Sequence, residues 1–72
     1  MKEFQALGNA IIIQAAKDYK RVLRVIKKHP GSVAALDEAK DLELFFHSRW
    51  YRTLTCVDAE YLLDRLRKAV AA

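Results

Sequence analysis

Apolar residues recur along the first third of the chain at the spacing of a helix face. Phe4, Gly8, Ile11, Ala15, Tyr19, Val22 and Ile26 follow one another every three or four positions, and Ile12, Ala16 and Leu23 widen the stripe. This pattern predicts a long helix from about Glu3 to Lys28. Its weak points are Gly8-Asn9, where it could start late or kink, and the β-branched run Ile11-Ile12-Ile13, which would suit a strand if a second strand were near. The only proline and one of the two glycines then fall together in His29-Pro30-Gly31-Ser32, a helix stop followed by a helix start with Ser32 as N-cap. Leu36, Ala39, Leu42, Phe46 and Trp50 share one face of a second helix that is expected to run to roughly Trp50, with a break near Thr53. Thr55-Cys56-Val57-Asp58 reads as a capping box with Asp in the usual Glu position. It would open a third helix with the apolar stripe Ala59, Leu62, Leu63, Leu66 and Val70, supported by an ion pair from Asp64 to Lys68.

Three helices joined by short connections predict an all-α fold, a three-helix small domain spanning residues 1–72. The long N-terminal helix pairs antiparallel with the second, and the third caps them. A chain of 72 residues buries only ~60% of its unfolded surface on folding, so a monomer has a thin stability margin. One cysteine, Cys56, excludes an internal disulfide, and with only His29 and His47 beside it there is no paired spacing for zinc. Association with another chain is the remaining route. Ile13 and Leu44 point away from their helices' apolar stripes, which predicts a protein contact, most simply a homo-oligomer such as a dimer. The alternative is a helix phase one residue out.

Charge narrows the partners. Thirteen Lys and Arg against nine Asp and Glu give a net charge of +4, which favours anionic partners over cationic ones while being modest for a dedicated nucleic-acid binder. The N-terminal stretch is interrupted by Gly8, Asn9 and Gln14 and reads neither as a signal peptide nor as a membrane span. The protein is expected to stay in the cytoplasm where it is made, with no membrane partner. Within the first helix Lys17, Arg21, Arg24 and Lys28 repeat at four, three and four residues, with Lys20 and Lys27 beside them. They form a basic ridge able to line up with phosphates. Its bland reading is a solvated face that offsets Asp37, Glu38 and Asp41 on the second helix, at ~0 to 1 kcal/mol per surface pair.

A second cluster, His47-Ser48-Arg49-Trp50-Tyr51-Arg52, gathers the only Trp, a Tyr, two Arg and a His. Guanidinium forks bind phosphates, aromatic faces stack on bases, and Trp, Tyr and Arg dominate protein interface hot spots. The bland reading is that Trp50, which falls on the apolar stripe, belongs to the core, while Arg49 and Arg52 neutralise a helix C-terminus. The candidate ligand-binding set is therefore Lys17, Arg21, Arg24, Lys28, Arg49, Trp50, Tyr51 and Arg52.

Catalytic chemistry finds no such pattern. His29 has no nucleophile near it in sequence, His47 and Ser48 point in different directions on a helix, and Cys56 reads as structural. Asp58 and Glu60 suit a helix start through the dipole, and Asp64 completes no ligand set. There is no glycine-rich phosphate loop. The reading is a non-enzymatic protein that needs neither cofactor nor metal.

The run Phe45-Phe46-His47-Ser48-Arg49-Trp50-Tyr51-Arg52-Thr53-Leu54-Thr55, continuing through Asp58-Ala59-Glu60-Tyr61-Leu62-Leu63 to Arg67, resembles small prophage-encoded helical proteins of Gram-positive bacteria. Gln14-Ala15-Ala16-Lys17-Asp18-Tyr19 is similar to the first helix of the same group. The resemblance covers most of the chain, rests on no catalytic motif, and brings no settled function. It implies an accessory or anti-defence protein acting by stoichiometric binding of an anionic ligand, nucleotide or nucleic acid, or of a host protein. Two alternatives stand beside it. One is a DNA-binding transcriptional regulator with Tyr61, Arg65, Arg67 and Lys68 in the major groove, for which the Trp50 to Asp58 connection is long and lacks the usual Gly. The other is a structural or assembly subunit.

Overall fold

The computed structural model describes residues 2–71, and side chains from Gly8 onward. Phe4, the first member of the predicted apolar stripe, has its side chain outside the described residues. Among the described residues four helices follow one another: α1 (Lys2–Lys28), α2 (Val33–Phe46), α3 (Arg49–Leu54) and α4 (Ala59–Ala71). Among the described residues there is no strand.

α1 is one unbroken helix through both of its suspect points. Gly8 is buried, and a Cβ there would stand 3.3 Å from the Leu54 carbonyl oxygen, so the glycine serves a close approach of α3 rather than a kink. Ile12 packs against the core while Ile13 is 54% exposed, which divides the β-branched run between two faces of a helix. The helix stops where the Pro-Gly pair predicts. His29 donates its N–H to the Val25 carbonyl at 2.7 Å, Ser32 donates to the His29 carbonyl, and the Ser32 hydroxyl accepts from Ala35 N–H at 3.3 Å to cap α2.

α2 returns antiparallel to α1. Tyr19 reaches Glu43 while Arg21 reaches Glu38, so rising positions on one helix meet falling positions on the other. Ala35 and Ala39, both buried, hold α2 close to Tyr19 and Val22. Around the far end Tyr19, Phe45, Phe46 and Tyr51 form an edge-to-face aromatic cluster with ring centroids 5.4 to 6.1 Å apart.

The predicted second helix to Trp50 divides in two, which corrects the three-helix arrangement to four helices. His47 leaves helical geometry and Ser48 is extended, with φ −80 and ψ 163. The Ser48 hydroxyl donates to the Phe45 carbonyl at 2.6 Å and accepts from Tyr51 N–H at 3.3 Å, so one side chain closes α2 and opens α3. The interruption shifts the helical phase. Trp50, four residues after Phe46, would have shared its buried face in a continuous helix; it is instead 61% exposed, and Tyr51 takes the core position at 1%.

The start of the last helix also differs from expectation. Thr55 does not cap it, since its hydroxyl accepts from Val57 N–H in a local turn. Asp58 does, its carboxylate accepting from Glu60 N–H at 3.0 Å and its carbonyl from Leu62 N–H. With α3 in place the connection before α4 shrinks to Thr55–Asp58. Leu63 and Leu66 turn into the core, and α4 lies along α1 in the same direction, with Arg67 near Tyr19 and Val70 near Lys27. α1 is thus the spine against which α2, α3 and α4 all pack.

Candidate functional site

Lys17, Arg21, Arg24 and Lys28 are all exposed, on the face of α1 opposite Tyr19 and Val22. Arg21 is the engaged member. Its Nη2 donates to Glu38 Oε1 at 3.0 Å and lies 3.9 Å from Asp18. Among the described residues no carboxylate pairs with Lys17, Arg24 or Lys28. The ridge therefore offsets the acidic cluster of α2 at one point, through Glu38, while Asp37 and Asp41 stay out of contact with it. Of the flanking lysines, Lys20 is half-buried and Lys27 donates to the Val70 carbonyl at 3.4 Å, tying α1 to the end of α4.

The Arg49–Arg52 cluster is split by the phase shift at Ser48. Arg49, Trp50 and Arg52 project outward, but Tyr51, expected among the ligand-binding residues, is core and offers no aromatic face to a partner. The structure does not bring this cluster to the ridge. α3 sits beside Gly8, nine residues before Lys17, which is roughly 13 Å along the helix axis.

Between the end of α2, α3 and the start of α4 lies a cleft of ≈420 Å³. His47, Arg52, Cys56, Asp58 and Glu60 reach its walls, and His47 Nε2 stands 2.9 Å from Glu60 Oε1. Tyr51 also lines it. Its hydroxyl is buried without a hydrogen-bond partner among the described residues, and its pKa is pushed up, chiefly by burial and then by Asp58. Cys56 is exposed. No group of three or more His, Cys, Asp or Glu among the described residues is placed to hold a metal ion.

Sequence reasoning missed one polar constellation. Tyr19 is fully buried, yet its hydroxyl donates to Glu43 Oε2 at 2.8 Å and accepts from Arg67 Nε at 3.3 Å; Arg67 Nη2 stands 3.8 Å from the same carboxylate oxygen. Burial raises the Tyr19 pKa, the bond to Glu43 raises it further, and Arg67 opposes both. The bond to Tyr19 raises that of Arg67. The available signal was a tyrosine in the middle of an apolar stripe, since a buried phenol needs a polar partner. Which partner it finds depends on how α2 and α4 are set against α1.

Comparison with protein-family models, with curated proteins and with solved structures yields no match to the chain. Among the described residues no helix is long and apolar enough to cross a membrane.

Proposed function

We propose that this chain is a non-catalytic accessory protein of the phage type, with an anti-defence role, that acts by stoichiometric capture of an anionic ligand, a nucleotide or nucleic acid, along the α1 ridge. One observation carries the reading. Three of the four ridge cations, Lys17, Arg24 and Lys28, are exposed and have no carboxylate partner among the described residues, although the chain has nine carboxylates to offer. Exposed cations of this kind contribute little to the fold. They are available to phosphates, and each phosphate neutralised releases counterions and gives the affinity a salt dependence of about 0.9 in logarithmic slope. A host protein with an acidic surface would answer the same ridge.

The test is fluorescence anisotropy with labelled single-stranded and duplex oligonucleotides, and with a panel of linear and cyclic nucleotides. Binding should weaken as salt rises. Lys17→Ala, Arg24→Ala and Lys28→Ala should each flatten the salt slope by about 0.9, the share of one phosphate that is no longer neutralised. Arg49→Ala with Arg52→Ala should have the smaller effect, being far from the ridge. Ridge variants that bind as the parent does, or a parent that binds no polyanion at low salt, would remove the reading.

A DNA-binding regulator keeps one observation in its favour. The four residues Thr55–Asp58 that join α3 to α4 suit a helix-turn-helix connection, and Tyr61 and Arg65 are exposed on α4. Against it, Arg67 is committed to Tyr19 and Glu43, and Lys68 pairs with Asp64 at 3.0 Å. Preference for one duplex sequence over another would favour this second reading.

A further inference from the structure

α3 and α4 cover one side of the α1–α2 hairpin and leave the other side open. Two charged stripes of opposite sign run along the open side. On α1, Ile13, Lys17, Arg21, Arg24 and Lys28 succeed one another at four, four, three and four residues. On α2, Val33, Asp37, Asp41 and Leu44 follow at four, four and three. Every one of these residues is exposed, including Ile13 at 54%, Val33 at 70% and Leu44 at 65%. Neither aspartate has an ion-pair partner among the described residues. Between the stripes two grooves of ≈450 Å³ each follow the seam of the hairpin. Ile11, Ala15, Leu42 and Phe45 line the first together with Gln14 and Asp18, and Val22, Val25 and Ala35 the second together with Arg21, Ser32 and Glu38, with no residue of α3 or α4 in either wall.

We infer that this open face of the hairpin is a two-fold interface with a second copy of the chain, the basic stripe of each copy lying along the acidic stripe of the other. The spacing supports the match. With a partner's α2 laid antiparallel on α1, Leu44 meets Ile13, Asp41 meets Lys17, Asp37 falls at Arg21 and Val33 at the aliphatic stem of Arg24. The steps along the two helices agree to within one residue, roughly 1.5 Å. Because α1 and α2 are themselves antiparallel, one two-fold axis along the hairpin places both stripe pairs in register at once, as an isologous interface requires. The apolar residues of the grooves then lie along the centre, crossed by the Arg21–Glu38 ion pair, with the two stripes to either side. The stripes run the length of the 14-residue α2, roughly 21 Å of paired helix in each half of the interface. The inference does not rest on the ridge taking a polyanion, and Lys17 and Arg21 cannot face a partner's aspartates and a phosphate at the same time.

The experiment is the solution mass of the full chain by light scattering and sedimentation equilibrium, over a range of protein and salt concentrations. The expected result is a dimer at low salt that shifts toward monomer near 1 M salt, where the Debye length is about 3 Å. Asp37→Lys with Asp41→Lys should weaken dimerisation by about a hundredfold, because like charges then face each other. Lys17→Glu with Arg21→Glu should do the same. An equal mixture of these two variants should recover the dimer mass as a heterodimer, in which both stripe pairs are again complementary. Far-UV circular dichroism confirms that the surface variants remain helical. A parent that is monomeric at every concentration, a dimer indifferent to the charge reversals, or a mixture that fails to pair would each overturn the inference. Loss of oligonucleotide binding with the dimer intact would count against the proposed ligand and leave this interface standing.

Discussion

The two sides of α2 meet their neighbours in different ways. Toward α1 the contact is apolar and close, with Ala35, Ala39 and Phe46 against Tyr19 and Val22. Toward α4 it is a polar seam, in which Glu43 meets Arg67 and the Tyr19 hydroxyl while His47 meets Glu60. An apolar contact tolerates small changes of register, because dispersion and the hydrophobic effect are non-directional. A hydrogen-bonded seam does not, because donor and acceptor must meet within a few tenths of an ångström. The first side supplies most of the stability. The second holds α4 at one setting against α2.

The largest effect should come from the apolar side. Phe46 is fully buried and stacks edge-on against three rings, so Phe46→Ala should cost about 3 to 5 kcal/mol. Against a total of roughly 5 to 15 kcal/mol that should leave much of the chain unfolded in a urea titration followed by circular dichroism. A loss no greater than that from Tyr19→Phe would invert the comparison.

Tyr19→Phe comes next. It keeps the ring and removes the hydroxyl that joins Glu43 to Arg67, at about 1 to 2 kcal/mol. It should also change the alkaline limb of stability. The folded pKa of Tyr19 lies above its ordinary 10.0, so its contribution is complete below pH 10 and is lost as pH rises through the folded value. The parent should destabilise above pH 10 more steeply than the Phe variant. Because the Tyr51 pKa is raised as well, some of the slope should survive in the variant, and an identical slope would remove Tyr19 from the account.

Ser48→Ala should cost about 1 kcal/mol through removal of the α3 cap. It also asks what sets the phase of Trp50. The indole should stay open to a soluble fluorescence quencher in both proteins, since Tyr51 already occupies the core. A blue-shifted, protected Trp50 in the variant would mean that the Ser48 hydroxyl alone prevents α2 from continuing. The smallest effect belongs to the exposed end of the seam. Glu60→Gln should change stability by only ~0 to 1 kcal/mol, because His47 and Glu60 are both well solvated. A loss matching that of Tyr19→Phe would mean that burial is not what gives the seam its strength.

Much of the fold was legible in the chain's own pattern. The apolar period of α1, the Pro30-Gly31 stop and the Ser32 cap are local signals, and each appears where the pattern places it. The exposure of Ile13 and Leu44 also followed from helical spacing alone. The ridge was legible as a ridge, and of the three acids of α2 that a solvated face would offset, only Glu38 comes within reach of it. In the other candidate cluster Arg49, Trp50 and Arg52 are exposed and only Tyr51 is withdrawn into the core, for a definable reason. Serine is common enough on a helix that nothing in the string distinguishes a Ser48 that bonds both forward and back, and the two-residue break at His47-Ser48 exchanges the places of Trp50 and Tyr51. The same subtlety put the last cap at Thr55 rather than Asp58.

The sequence by itself determined the first and last helices of this protein, the turn between α1 and α2 and the sign of the charge along α1, because hydrophobic periodicity, turn chemistry and charge are properties of near neighbours in the chain. Only the tertiary structure decided that the Tyr19 hydroxyl joins Glu43 to Arg67, that Trp50 faces outward, and that a basic and an acidic stripe lie side by side on one open face. Those outcomes depend on how one helix is turned against another, and that rotation is set by the packing of the whole core at once.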